Sequence, residues 1–194
     1  MNRRILVICI SFLWTALVFA QNNSVYPNDK IRNELRPLLK SAIEKSESFE
    51  NRFDAEVWLV DMSSRLSRKI PDPEKRLRFL RLVHQEAIQA NLYPELVLAV
   101  IEIESNFDQY AISSAGAMGL MQVMPFWLKE IGRDGDNLFK PTTNLRMGCT
   151  ILRYYMNIEK DDLLQALARY NGSKGSNRYG NKVIKALNQR WRKY

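Results

Sequence analysis

A carboxylate closes a long apolar run: Leu96 to Ile103 reads Leu-Val-Leu-Ala-Val-Ile-Glu-Ile, Glu104 follows, and Ser105 and Asn106 end it. Such a run is the mark of a buried central helix, and Ser and Asn favour caps and turns. At a helix C-terminus the dipole disfavours negative charge, so Glu104 stands where a proton would be held. Glu102 lies two residues earlier, about 200° round a helix, so both cannot face one cleft. One of the two is expected to be functional and the other solvated. The next stretch, Phe107 to Val123, has no clear period and contains Gly116, Gly119, Ser113 and Ser114. It also carries Ile112, Met118, Leu120 and Met121, which makes it a folded loop rather than a linker. Other chemistries lack their residues. The single histidine, His84, and the two cysteines, Cys9 and Cys149, exclude the usual serine triad, a poly-histidine metal site and a thiolate zinc site. Carboxylates, hydroxyls and backbone groups must carry the chemistry, and no cofactor or metal is implied.

The elements that must position these groups are helical. Apolar residues at spacings of three and four predict helices over 28–46 (Ile31, Leu35, Leu38, Leu39, Ile43), 51–68 (Ala55, Trp58, Leu59, Met62, Leu66) and 74–91 (Leu77, Leu80, Val83, Ala87, Ile88). Pro94 opens the helix that ends at Glu104, and further helices are predicted near 125–131, 144–156, 161–170 and 179–192. Strand alternation appears nowhere for more than a few residues, so the fold class is mainly α. Ile70-Pro71-Asp72-Pro73 breaks the pattern and is the best boundary, dividing an N-terminal helical extension at 21–70 from a main unit at 71–194. His84 is read as a hydrogen-bonded core or boundary residue, Cys149 as a buried inert thiol, and Met118 as core filling.

Residues 1–20 carry Arg3 and Arg4, an uncharged apolar run from Ile5, and Val18-Phe19-Ala20 before Gln21. That order matches a cleaved signal peptide and implies a periplasmic, exported protein. The 16-residue run is short for a membrane-crossing helix, and no stable membrane insertion is expected after cleavage. Cleavage would lower the net charge from +8 to +6, since Arg3 and Arg4 leave with no acidic residue. An exported basic protein points to an extracytoplasmic polyanion rather than nucleic acid.

Three segments carry a resemblance. AVIEIESNF from Ala99, AISSAGAMGLMQVMP from Ala111 and ARYNG from Ala168 are similar to the three successive motifs of family 1 lytic transglycosylases, relatives of goose-type lysozyme. Asn144 to Met156 is similar to the family's helix between the second and third motifs. The likeness runs from about Pro73 to near the C-terminus and implies a lysozyme-like catalytic domain. It departs at Ser114, where proline is common, and at Gly172-Ser173, where Ala-Gly is common.

What the resemblance implies is non-hydrolytic cleavage of the β-1,4 bond between N-acetylmuramic acid and N-acetylglucosamine in peptidoglycan, leaving 1,6-anhydromuramic ends. Glu104 would be the acid and then the base, and Tyr170 would point its hydroxyl at that carboxyl. Ser113 would help to hold the muramic residue; Gln122 and Met124 would line the saccharide cleft; Gly119 would permit close approach of the chain; Asn171 would stand beside Tyr170. With Asp108 read as a solvated turn residue, the substrate's N-acetyl group or C6 hydroxyl must supply the attack. Both proton steps need a carboxyl pKa near 6–7, which burial among Met121, Met124 and Phe107 could supply. The alternatives are a goose-type lysozyme that hydrolyses the same bond, and a non-catalytic murein-binding or secretion-scaffold protein. A binder has no use for an acid at Glu104, which argues against the second. Residues 28–68 fall outside the motifs and are expected to pack on the main unit or on a cell-envelope or secretion partner. A chain begun near Pro71 is expected to keep some cleavage of soluble strands.

Overall fold

The computed structural model describes residues 51–192 together with residues 37, 48 and 49. The expected signal peptide at 1–20 lies outside the described residues, and so does the helix expected at 28–46 apart from residue 37. From Arg52 onward the order is α1 (Arg52–Leu66), α2 (Pro73–Gln89), α3 (Pro94–Glu104), α4 (Trp127–Ile131), α5 (Pro141–Ile158), α6 (Leu163–Tyr170) and α7 (Arg178–Ala186), closed by a π-helical turn, Leu187–Trp191. The described residues form no strand; isolated bridges join Ile112 to Met118 and Met118 to Val123 inside the loop. The fold is mainly α, as the apolar periods require. No helix among the described residues is long and apolar enough to cross a membrane.

Helix starts follow local chemistry. Proline opens α2, α3 and α5, where its fixed φ suits a first turn and its missing N–H would be unpaired anyway. The α5 start at Pro141 is three residues earlier than the apolar period suggests, because Pro141-Thr142-Thr143 is helix-competent without an apolar stripe. Asn51 and Asp72 cap α1 and α2 by accepting backbone N–H groups in the first turn.

The proline joint is rigid. Arg76 donates to Ser63 Oγ at 2.8 Å and to the Ile70 and Pro71 carbonyl oxygens at 2.6 and 3.0 Å, fixing the α1–α2 corner. Ala55, Leu59, Met62 and Leu66 of α1 are buried, and the last three join one core cluster with α2, α3, α5, α6 and α7. The boundary read at residue 70 therefore separates elements that share a core. At its centre stands α3, buried continuously from Leu96 to Ile101 and packed against α2, α7 and the π-helical turn. Its open end delivers Glu104 to the surface of that core.

Candidate active site

Glu104 is the last residue of α3, and the chain then turns off sharply: Asn106 and Phe107 both take positive φ, 52° and 71°. Ser105 ties this corner to the loop that follows, donating to the Leu120 carbonyl oxygen at 2.8 Å. The loop is braced from within. Ser113 N–H donates to the Ala117 carbonyl at 2.9 Å while Ala117 N–H donates back to Ser113 Oγ at 3.0 Å. Met118 and Val123 exchange two backbone bonds, both 3.0 Å. Gln122, at φ 48°, donates its side-chain amide to the Gly119 and Ala111 carbonyls at 2.9 and 3.2 Å.

Asn144 on α5 anchors the loop to the core. Its buried amide donates to the Met118 and Leu138 carbonyls, both at 2.8 Å, and its oxygen accepts from Met121 N–H at 2.8 Å. Gly119 has φ 76°, and a β-carbon there would lie 2.4 Å from Asn144 Nδ2 and 2.5 Å from the Leu138 carbonyl oxygen. The close approach that glycine permits here is to Asn144 and Leu138. Met121 fills the space beside Gly148, and Tyr170 at the end of α6 donates to the Met121 carbonyl at 2.7 Å.

Glu104 itself is partly buried and accepts a 2.6 Å hydrogen bond from Tyr179 Oη, the first buried residue of α7. Burial pushes its carboxyl from the ordinary 4.5 up to about 7, and the Tyr179 bond, which favours the charged form, pulls the other way. Both tyrosine hydroxyls are held well above their ordinary range, first by burial and then by the nearby Glu104 charge, so both are donors. The arrangement is a carboxyl half-protonated near neutrality with a fixed donor on one oxygen. Such a group can give and take one proton in turn.

Three expectations change on this geometry. The hydroxyl expected to face Glu104 belongs to Tyr179, whereas that of Tyr170 serves the Met121 carbonyl, because α7 rather than α6 packs on the end of α3. Glu102 is not solvated: its side chain is 15% exposed and accepts from Arg190 Nε at 2.8 Å and Trp191 Nε1 at 2.7 Å. Its half of α3 faces the π-helical turn. Gln122 turns its amide into its own loop, onto the Gly119 and Ala111 carbonyls, where a cleft-lining amide was expected.

Met124 is partly buried, and Asn171 is the exposed cap residue that ends α6. Asp108 is exposed and accepts from Tyr110 N–H at 2.9 Å, a turn residue. His84 is buried, stacked on Phe49 with ring centroids 3.6 Å apart, and lies 2.8 Å from Ser48 Oγ; burial pulls its pKa from 6.5 to about 4. Cys149 is fully buried and its thiol is pushed up. Among the described residues no group of three or more His, Cys, Asp or Glu side chains could hold a metal ion.

Residues 81–191 match the family model described as the transglycosylase SLT domain. The chain is 33% identical over 115 residues to a membrane-bound lytic murein transglycosylase C of Photorhabdus laumondii, covering 51% of this chain and 32% of that protein. It is 33% identical over 118 residues to a transglycosylase of Enterobacteria phage PRD1, covering 58% and 44%. It thus spans less than half the length of these curated relatives. Among solved structures it is similar to the lytic transglycosylase Slt of Pseudomonas aeruginosa, with TM-score 0.47 and 23% identity over 80% of this chain and 27% of that one.

Proposed function

The chain belongs to the transglycosylase SLT domain family, and from that premise we propose that it cuts the β-1,4 bond between N-acetylmuramic acid and N-acetylglucosamine in peptidoglycan without consuming water. Glu104 gives its proton to the glycosidic oxygen as the bond from the anomeric carbon breaks. The C6 hydroxyl of the same muramic residue then closes on that carbon, and its proton passes to the Glu104 carboxylate. The acid is restored, and the products are a free 4-hydroxyl and a 1,6-anhydromuramic end.

The observation that carries this reading is the partly buried Glu104 carboxyl, its pKa raised to about 7 and held by Tyr179 at 2.6 Å. At neutral pH comparable fractions are protonated and charged, which suits a group that must act as acid and then base. Asp108, the neighbouring carboxylate in sequence, is exposed and occupied with its own turn, so the substrate's hydroxyl takes the place of a protein nucleophile. Ser113, Gly119, Gln122 and Met124 serve as the wall of the saccharide cleft, Gly119 and Gln122 through the fold of the loop. Tyr170 supports that wall from beneath, and Asn171 stands at its rim. Residues 1–20 direct the chain to the periplasm, where its substrate lies, and residues 71–194 carry the catalysis. Residues 51–70 brace that unit, and the extension offers a surface for an envelope partner.

Mass spectrometry of digested sacculi tests the reaction. Released muropeptides should each be one water lighter than lysozyme products; a digest with only reducing ends would make the protein a hydrolase.

A further inference from the structure

Residues 163–194 hold eight Lys or Arg and no Asp or Glu, whereas the 162 residues before them balance at 21 of each. The whole formal excess of +8 therefore belongs to the stretch that supplies α6, α7 and the π-helical turn. Arg169 is neutralised by Glu159 and Arg190 by Glu102. Lys174, Arg178, Lys182, Lys185 and Arg192 are exposed and have no ion-pair partner among the described residues. We propose that this basic strip on the outer face of α7 is a docking surface for a carboxylate-bearing polymer, the stem peptides of the glycan strand. The proposal rests on the reading of the Glu104 site given above.

Geometry makes the charges a strip. Arg178, Lys182 and Lys185 follow at spacings of four and three, one line along the helix. Tyr179, Val183 and Ala186 occupy the buried face, roughly a third of a turn round. Lys174 lies in the loop before the helix, and Arg192 caps the π-helical turn after it. Like charges three and four residues apart repel and cost helix stability, and the stretch holds no acidic side chain to offset them. A polymer with repeated carboxylates does, and its contacts add along the line. The strip is also near the chemistry. Because Tyr179 reaches Glu104 from the inner face of the same helix, a polymer gripped outside lies on the order of one to two helix diameters, roughly 10–20 Å, from the carboxyl.

The chemistry of the strip selects among polyanions. None of the exposed large apolar side chains of the described residues lies in this stretch, so it offers nothing to bury in a lipid surface. Its described residues also offer no exposed aromatic ring on which a nucleobase could stack. What it offers is hydrated positive charge at regular intervals, suited to carboxylates that stay in water.

The test uses the full chain carrying Glu104→Gln, which blocks cutting. Into it are placed either Arg178→Ser, Lys182→Ser and Lys185→Ser, or a control with the same charge loss on exposed positions elsewhere, Arg68→Ser, Lys69→Ser and Lys75→Ser. Each is pelleted with intact sacculi, with sacculi stripped of stem peptides by an amidase, and with phosphatidylglycerol vesicles. The strip variant should bind intact sacculi about tenfold more weakly at low salt, with the difference fading as salt screens it. The control should bind like its parent, and all three should bind stripped glycan alike. Equal binding of strip variant and parent to intact sacculi would overturn the proposal, as would a loss confined to the vesicles. A wild type that binds through the strip yet cuts no murein would instead sink the proposed reaction and leave the docking surface standing.

Discussion

Tyr179 and Glu104, 75 residues apart in sequence, meet through a 2.6 Å hydrogen bond from the phenol to the carboxylate. The bond stabilises the charged form against the burial that disfavours it. It couples the last α-helix to the end of the central one.

Tyr179→Phe should raise the Glu104 pKa further, because a charge-assisted bond worth about 1.5–3 kcal/mol is lost. The alkaline limb of the pH–rate profile, set where Glu104 gives up its proton, should move up by about one to two pH units, with kcat falling. Tyr170→Phe should leave that limb in place and lower the melting temperature, since its hydroxyl serves the Met121 carbonyl. If the two profiles moved alike, the assignment of separate roles would be wrong.

Glu104→Gln should abolish murein cleavage and stabilise the fold in a pH-dependent way. The folded pKa of about 7 lies above the ordinary 4.5, so the unfolded chain releases this proton first. Native stability falls by this term as pH rises from about 4.5 to 7 and stays reduced above it. The variant should therefore melt higher than wild type at pH 8 and nearly with it at pH 4. Paired calorimetric scans at the two pH values check this; a gain independent of pH would contradict it.

Glu102→Ala should destabilise the fold by about 1–3 kcal/mol, because the buried Trp191 indole N–H is left without an acceptor. Glu102→Gln, which keeps one acceptor oxygen, should lose less. Urea denaturation of the two variants gives the comparison; two silent substitutions would mean that the π-helical turn holds without Glu102.

Gly119→Ala and Gly116→Ala separate crowding from conformation. Both glycines have positive φ, 76° and 82°, but a β-carbon meets Asn144 and Leu138 only at Gly119. Gly116→Ala should cost about 1 kcal/mol, while Gly119→Ala should cost more and cut turnover by displacing the loop. Equal losses in denaturation would remove the role given to the Asn144 contact.

A chain beginning at Pro71 should fold poorly, contrary to what motif position alone suggests. Leu59, Met62 and Leu66 are at most 1% exposed and sit in the shared core. Losing roughly 1.5–3 kcal/mol per side chain of this size approaches a whole domain's stability. The shortened chain should bind a hydrophobic dye and lack a sharp melting transition; a cooperative melt would contradict this.

Much of this was legible from the residues. The apolar periods place the described helices within a few positions, except that the last period runs on through the π-helical turn, and the helix-end position of Glu104 singles it out as the proposed acid because few structural tasks want a carboxylate there. Partners distant in sequence were not legible. Tyr179 shares an apolar stripe with Val183 and Ala186, so its hydroxyl carries no signal of its own, and Glu102 meets Arg190 and Trp191 only after α7 has packed. The resemblance makes Gln122 a cleft residue, and nothing local reveals that its amide closes its own loop.

The anchoring of the loop by Asn144 also imposes a sequence of events in time. The Met121 amide finds its acceptor 23 residues further along the chain, so the loop cannot settle until α5 has formed and docked. Local helices need no such wait. The molecule should pass through a moment when its core is assembled and this loop is not, and on unfolding the loop should loosen first. For the proposed cleavage this would mean that competence arrives last and leaves first. Hydrogen exchange would show this as a Met121 amide that opens more readily than those of α3.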